Sequence, residues 1–331
     1  MINVALIGCG TMGRSHAYSY QHIDNADLVA VCDIDKEKAQ RIAEINTSRI
    51  YSSLEEMLEN ENVDMVDICL PTYMHKTYAL IAMKAKKHVF CEKPIALNLE
   101  DAYEMVRTSE EEGVKFTVGH VVRYFPAYKS AVEAVEKEKI GVPRLIRTTR
   151  NQGFPKWSWE GWYLDYEKSG GPIMDLIIHD FDWINHYFGE VDRIFARSFH
   201  GEVLEQDHCI ATLRLKNGTI AHVEGSWAYP QGAVFRTTFE IIGTNGQIEY
   251  DSLENCGLKK QTNDSADGHL ITSYLSPIAG AIEPYQSELR EFVHCVENDL
   301  PVTITGNEAI NALQVALAAI ESSKTGLPVT L

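Results

Sequence analysis

The chain opens with the apolar run Ile2-Asn3-Val4-Ala5-Leu6-Ile7 and passes directly into Gly8-Cys9-Gly10-Thr11-Met12-Gly13. A second apolar run, Leu28-Val29-Ala30-Val31-Cys32, ends at Asp33. A buried strand, a G-x-G-x-x-G turn opening a helix, and an acid at the tip of the next strand are the parts of a dinucleotide pocket. Each glycine has its own steric task. Gly8 permits the tight turn, Gly10 lets the main chain approach a pyrophosphate, and Gly13 allows the helix to pack close to the strand. The helix beginning near Thr11, Met12 and Gly13 aims free N–H groups and its positive dipole end at the phosphates. Asp33 accepts hydrogen bonds from the adenosine ribose hydroxyls. Ile34, not an arginine, follows it, so a 2′-phosphate would meet the charges of Asp33 and Asp35. NAD is therefore expected over NADP, with Lys36 and Lys38 softening the bias.

At 331 residues the chain is long enough for two domains with separate cores. Its 45% hydrophobic and 23% charged content are those of an ordinary globular protein. A formal net charge of −17 argues against nucleic acid and anionic membrane surfaces, which both call for a basic footprint. No apolar run approaches the ~20 residues of a membrane span, and no basic leader precedes the first strand. A cytoplasmic location is the expectation. The seven cysteines, at 9, 32, 69, 91, 209, 256 and 295, are scattered and form no C-x-x-C pair, which fits reduced structural thiols.

Through about residue 120, short apolar strands alternate with helical stretches, the β-α-β pattern of a doubly wound parallel sheet. The segment Leu99–Glu111 reads as a helix with Asn98 as cap and Gly113 as stop. Beyond Arg123 the pattern changes to strands near Leu145–Thr149, Arg193–Phe199, Cys209–Leu215, Thr219–Ser226, Thr238–Ile242 and Gln247–Tyr250. Asn217-Gly218 and Asn245-Gly246 are placed as hairpin turns, so this half is expected to be an antiparallel meander. Helices near Tyr128–Lys137, Ile173–Phe188, Tyr285–Glu297 and Asn307–Ser322 would cover one face of that sheet. The other face is then a candidate subunit interface. The division expected is 1–122 for the dinucleotide and 123–331 for substrate and self-association.

Three features carry chemistry. Glu92-Lys93-Pro94 falls at the tip of the fifth strand, where open α/β sheets bind ligands, and Lys93 there can reach a substrate. Next, the spacing from Gly170 to Gly189 predicts one helix, on which Asp175, His179, Asp182 and His186 form a stripe about 60° wide. An imidazole titrating near working pH suits the base needed for an alcohol proton, and a carboxylate one turn away can orient it. Asp180 falls on the apolar side of that helix without an explanation. The Asp175/His179 pair lacks a third ligand at diagnostic spacing, so no metal is expected. Finally, Trp157, Trp159, Trp162, Tyr163 and Tyr166 precede the helix, and such rings stack on pyranoses or simply pack.

Taken in order, the glycine fingerprint, Pro71-Thr72 with His75, Glu92-Lys93-Pro94, Gly119 followed by Arg123-Tyr124, and Gly170-Gly171…Asp175-x3-His179-x2-Asp182 resemble the glucose–fructose oxidoreductase/inositol dehydrogenase (Gfo/Idh/MocA) family over essentially the whole chain. That resemblance implies an N-terminal Rossmann domain and a C-terminal α/β domain whose open sheet forms a dimer or tetramer interface. It implies NAD(P)-dependent oxidation or reduction of a sugar, inositol or related polyol. Lys93, Asp175 and His179 would be the catalytic trio. Pro71, Thr72 and His75 would line the nicotinamide ribose, beside Glu92 and Lys93. Arg123, Tyr124, Asp182 and the rings of Trp157 and Trp162 would touch substrate. The tryptophan-rich insert is not part of the motif shared with the inositol dehydrogenases, so the substrate does not carry over. Two other readings share these features: a dinucleotide-binding sensor without turnover, and an NAD-dependent glycosidase that recycles its cofactor.

Overall fold

The computed structural model describes residues 1–199, 206–254, 258–263, 270–275 and 283–331, so Cys256 lies outside the described residues. They form two compact units, each assembled from separated stretches of chain. The first comprises Met1–Val121, Trp157–Ser169 and Ile282–Leu313, and the second Val122–Lys156, Gly170–Ala281 and Gln314–Leu331.

In the first unit, β1 (Ile2–Ile7), β2 (Ala26–Cys32), β3 (Arg49–Tyr51), β4 (Met65–Ile68), β5 (His88–Glu92) and β6 (Phe116–Gly119) make one sheet in the order β3-β2-β1-β4-β5-β6. Every neighbouring pair is parallel. The order reverses between β1 and β4, the switch point at whose strand ends such sheets bind ligands. Helices α1 (Thr11–Tyr20), α2 (Lys36–Asn46), α3 (Leu54–Asn60), α4 (His75–Lys84) and α5 (Leu99–Glu112) make the crossovers. Their starts are set locally. Asp35 accepts from the Glu37 and Lys38 N–H groups, Ser53 from Glu56, and Asn98 from Asp101. Gly113, at φ 66°, ends α5 as expected.

In the second unit, nine strands form a mixed sheet: β7 (Pro143–Gly153), β8 (Val191–Ser198), β9 (His208–Leu215), β10 (Ile220–Tyr229), β11 (Arg236–Gly243), β12 (Gly246–Asp251), β13 (Leu258–Asn263), β14 (Leu270–Leu275) and β15 (Val329–Thr330). The order β14-β13-β12-β11-β7-β10-β9-β8-β15 corrects the expected simple meander. β7 is inserted between β10 and β11 and runs parallel to β10, while the other pairs are antiparallel.

The remaining helices of the described residues, shared between the two units, are α6 (Pro126–Glu136), α7 (Tyr166–Ser169), α8 (Gly171–Asp175), α9 (Ile178–Tyr187), α10 (Pro284–Glu297) and α11 (Gly306–Thr325). α6 and α9 cover one face of the second sheet, with Tyr128 and Trp183 each packing a ring on Phe239 of β11 at 4.8 and 5.4 Å. The expectation that α10 would lie on this sheet is corrected. Its Leu289, Phe292 and Val293 complete the core of the first unit with Val4, Leu6, Tyr20, Leu28 and Phe90.

A further correction concerns the single helix expected over Ile173–Phe188. It is broken between Asp175 and Ile178, where both the Leu176 and Ile177 N–H groups bond to the Pro172 carbonyl. Packing accounts for the break. Ile177 drops onto Gly225 of β10, where a Cβ would stand 2.6 Å from its Cγ2, so the absence of a side chain there admits the isoleucine. Among the described residues, no helix is long and apolar enough to cross a membrane.

Candidate active site

At the carboxyl end of the first sheet, Gly8 takes φ +94°, and a Cβ on it would lie 2.4 Å from the Cys69 carbonyl oxygen. A Cβ on Gly13 would meet the Gly8 carbonyl oxygen at 1.8 Å, which is how closely α1 approaches the turn. A Cβ on Gly10 would meet nothing within 4 Å, so the main chain there faces open space. Gly10 caps α1 with no side-chain hydrogen bond, and the first turn carries no acid. The N–H groups of the exposed Thr11 and half-buried Met12 thus begin a helix whose positive end is unneutralised. Asp33 is tied to the same turn. Its carboxylate accepts from the Cys9 N–H at 2.6 Å and the Asp35 N–H at 2.7 Å. A carboxylate offers about four lone-pair sites, so capacity remains for a diol. Ile34 beside it is 71% exposed. The donor set and the open main chain fit a dinucleotide.

β4 leads to Pro71 and to a short 3-10 turn, Thr72–Met74. Thr72 is buried and Pro71 half-buried. His75 is fully buried, and its Nδ1 and Nε2 each stand 2.8 Å from a carbonyl oxygen, those of Pro94 and Leu70. Burial lowers its proton affinity, against the pull of those two carbonyls. His75, which the resemblance sets beside the ribose, ties the tips of β4 and β5 together. The Lys93–Pro94 peptide is cis. Glu92 is buried too, and its Oε2 accepts from the Lys93 N–H at 3.1 Å.

The aromatic insert belongs to this first unit. Trp162 stacks on Tyr163 at 4.1 Å and meets Tyr73 edge-on at 6.4 Å. Lys168 lies over the Tyr73 ring at 5.7 Å. Tyr73, Trp159, Trp162 and Tyr166 line a common cleft, and Trp157 is 59% exposed beside Tyr163. Because Tyr73 lies in the 3-10 turn after β4, the rings gather at the end of the sheet where the nicotinamide half of a dinucleotide would lie.

In the second unit Asp175 ends α8 and His179 lies in the first turn of α9, both half-buried. Arg123, Tyr124 and Asp182, expected at the substrate, are buried. Arg123 grips Asp182 through Nε at 2.8 Å and Nη2 at 2.6 Å. Asp180 has its explanation in Arg150 of β7, whose Nε donates to it at 2.6 Å and whose Nη2 donates to Tyr128 at 3.2 Å. Burial raises the Asp180 carboxyl's proton affinity and Arg150 opposes the rise. Asp180 and Asp182 of α9 are thus clamped from two elements, and His186 is exposed at the far end of the helix.

Under the strand tips lies a buried polar group absent from the motifs, centred on His16 of α1. Its signal was present: Asp67 sits inside the otherwise apolar β4, and a charge in a buried strand needs a partner.

Residues 2–120 match the family model described as an oxidoreductase family with an NAD-binding Rossmann fold, and residues 132–331 match its C-terminal α/β domain. The chain belongs to the Gfo/Idh/MocA family. Within that family it is 29% identical to a myo-inositol 2-dehydrogenase of Thermotoga maritima, over 97% of this chain and 96% of that protein. It is 34% identical to a 2,7-anhydro-N-acetylneuraminate hydratase of Escherichia coli, over 78% of this chain and 69% of that protein. A solved NAD-binding oxidoreductase from Klebsiella pneumoniae superposes with a TM-score of 0.86 at 25% identity, covering 99% of this chain and 98% of that one.

Proposed function

We propose that this Gfo/Idh/MocA chain is an NAD-dependent dehydrogenase acting on a secondary alcohol of a sugar, inositol or related polyol in the cytoplasm. The observation that carries the reading is the glycine turn joined to Asp33 beside an uncapped α1. Residues 1–122 hold the dinucleotide, through Gly8, Gly10, Thr11, Met12, Gly13 and Asp33 at the adenosine half and Pro71, Thr72 and Lys93 at the other. Residues 123–331 supply Asp175 and His179. A nicotinamide held by Pro71, Thr72 and Lys93 would supply hydride exchange with the carbinol carbon. His179 takes the hydroxyl proton, Lys93 hydrogen-bonds the reacting oxygen, and Asp175 orients the imidazole and stabilises its charged form. Arg123 and Asp182 act by fixing α9, and Trp157 and Trp162 give a ring-shaped substrate an aromatic wall. A panel of inositols, aldoses and anhydrosugars with NAD, followed by NADH absorbance, tests this. No turnover of any member, with NADH bound tightly, would leave the sensor reading instead.

The similarity to a hydratase favours a second reading, in which oxidation is transient and the cofactor is recycled. Product formed from an anhydrosugar or glycoside without net NADH identifies that case.

The cofactor preference is a prediction in itself. With Asp33 fixed by two main-chain N–H groups, a 2′-phosphate meets a carboxylate that cannot swing away. kcat/KM is expected to be higher with NAD, and equal or better performance with NADP overturns the assignment.

Self-association through the second sheet is also expected. On the side opposite α6 and α9, Phe195, Ile210 and Ile220 are 39%, 50% and 45% exposed, on the neighbouring strands β8, β9 and β10. Closed pairing of identical faces would cover them. A sedimentation experiment should give a dimer or tetramer at micromolar concentration. A stable monomer refutes it.

A further inference from the structure

His16 is fully buried between two carboxylates. Its Nδ1 lies 2.9 Å from Asp67 Oδ2 and its Nε2 lies 3.1 Å from Glu92 Oε1. The Asp67 approach is a hydrogen bond and the Glu92 approach a close ion-pair contact, and two flanking carboxylates favour the imidazolium. Around it, Tyr20 donates its hydroxyl to the same Asp67 oxygen at 2.9 Å, and the Cys69 thiol lies 3.2 Å from Nδ1. The rings of Phe90 and Tyr285 close the remaining sides, at 5.5 and 6.0 Å. Although His16, Asp67 and Cys69 bring ligand-type atoms within 4.8 Å of one another, these contacts already engage them. Burial alone would drive the His16 proton off. The neighbouring Asp67 carboxylate and Cys69 reverse this and hold its affinity well above the ordinary value. For Glu92, burial favours protonation, and His16 with Lys93 outweighs it.

The chain of contacts continues to the reaction. Glu92 passes its other oxygen to the main-chain N–H of Lys93. A Cβ on the facing Gly119 would stand 3.3 Å from Glu92 Oε1, so the carboxylate fills the space beside that strand with little room to move.

We propose that His16 is a positioning residue for Lys93: locked by Asp67, it holds the Glu92 carboxylate in place, and Glu92 fixes the main chain at the lysine. The proposal deepens the dehydrogenase reading, since it gives His16 a function only if Lys93 takes part in the reaction. An unpaired carboxylate at this depth would take up a proton instead of remaining charged. Loss of His16 and loss of the Glu92 charge should therefore have the same consequence at Lys93.

Competitive acetylation of the full-length protein with acetic anhydride, read by peptide mass spectrometry, reports on Lys93 without any substrate. Lys76, paired with Asp101 and Glu104 on the surface, is the internal reference. Glu92→Gln is expected to raise Lys93 acetylation relative to Lys76 severalfold, as a negative charge that interacts with Lys93 is replaced by a neutral amide. His16→Gln should do the same, and the double variant should go no further than either one. A purely structural role for His16 would give additive changes, or equal changes at both lysines. Glu92→Gln preserves shape, so it keeps the test alive if His16→Gln fails to fold. Unchanged Lys93 labelling in folded Glu92→Gln overturns the relay whatever the enzyme turns over. A fully active Lys93→Ala enzyme would instead overturn Lys93's part in the reaction, and with it the function given to His16, while leaving the labelling result standing.

Discussion

Replacing His179 by alanine is expected to lower kcat by about 10²–10⁴, the usual cost of losing a general base, while NADH binds with near-parental affinity. The separation of the two effects follows from where the residues lie in the chain. The glycine turn and Asp33 belong to the first unit, whereas His179 is on α9 of the second. Its place on α9 is maintained by Asp180 and Asp182, which Arg150 and Arg123 hold from other elements. Substitution at 179 removes an imidazole from a helix that is otherwise held in place. Lys93→Ala should also reduce kcat, and Asp175→Asn should be milder than either because it alters orientation and charge without removing the acceptor. Steady-state kinetics beside an NADH fluorescence titration separates these outcomes. A His179→Ala enzyme with most of its kcat would transfer the search for a base to His186, since Asp182 is engaged by Arg123.

The second large effect is expected in the glycine turn. Gly13→Ala introduces a methyl group 1.8 Å from a main-chain oxygen, a clash relieved only by moving α1 or the turn itself. Stability should fall by about 3 kcal/mol, at the upper end of overpacking costs, and NADH binding should be lost with it. Gly10→Ala is the informative contrast. Its φ of −73° suits alanine and its Cβ would meet no protein atom, so the melting temperature should not change. Only a ligand approaching that stretch of main chain would meet the methyl group. Gly10→Ala should therefore weaken NADH without weakening the fold, and parental NADH affinity in that variant would show that the pyrophosphate lies elsewhere.

Features encoded by neighbours in sequence were legible before the fold was known. The close approach of α1 at Gly13, the Asn98 cap and the Gly113 stop all depend on a few adjacent residues, and the strands of the first sheet are largely apolar, as buried parallel strands are. The features that could not be read depend on partners far along the chain. Asp180 is explained by Arg150, thirty residues earlier. The insertion of β7 between β10 and β11 has no local signature, because hairpin turns reveal which strands are joined and not which strand enters between them. The break before α9 reflects the missing side chain of Gly225 on another element. His16 went unnoticed for the same reason: one histidine on an amphipathic helix acquires meaning only when Asp67 and Glu92 are seen on either side.

The enclosure of the first core by α10 has a consequence for the life of the nascent chain. Residues 1–121 emerge with all six parallel strands, but Leu289, Phe292 and Val293, which seal the apolar side of β1, follow only after nearly the whole second unit has been made. At ribosomal rates of about 5–20 residues per second, the wait from residue 121 to residue 313 is about 10–40 s. During that interval Val4, Leu6 and Leu28 lack their final cover, and the half-finished sheet depends on chaperones or on its own α1 and α2 to escape aggregation. A gene fragment ending near residue 122 would leave the protein in that state permanently.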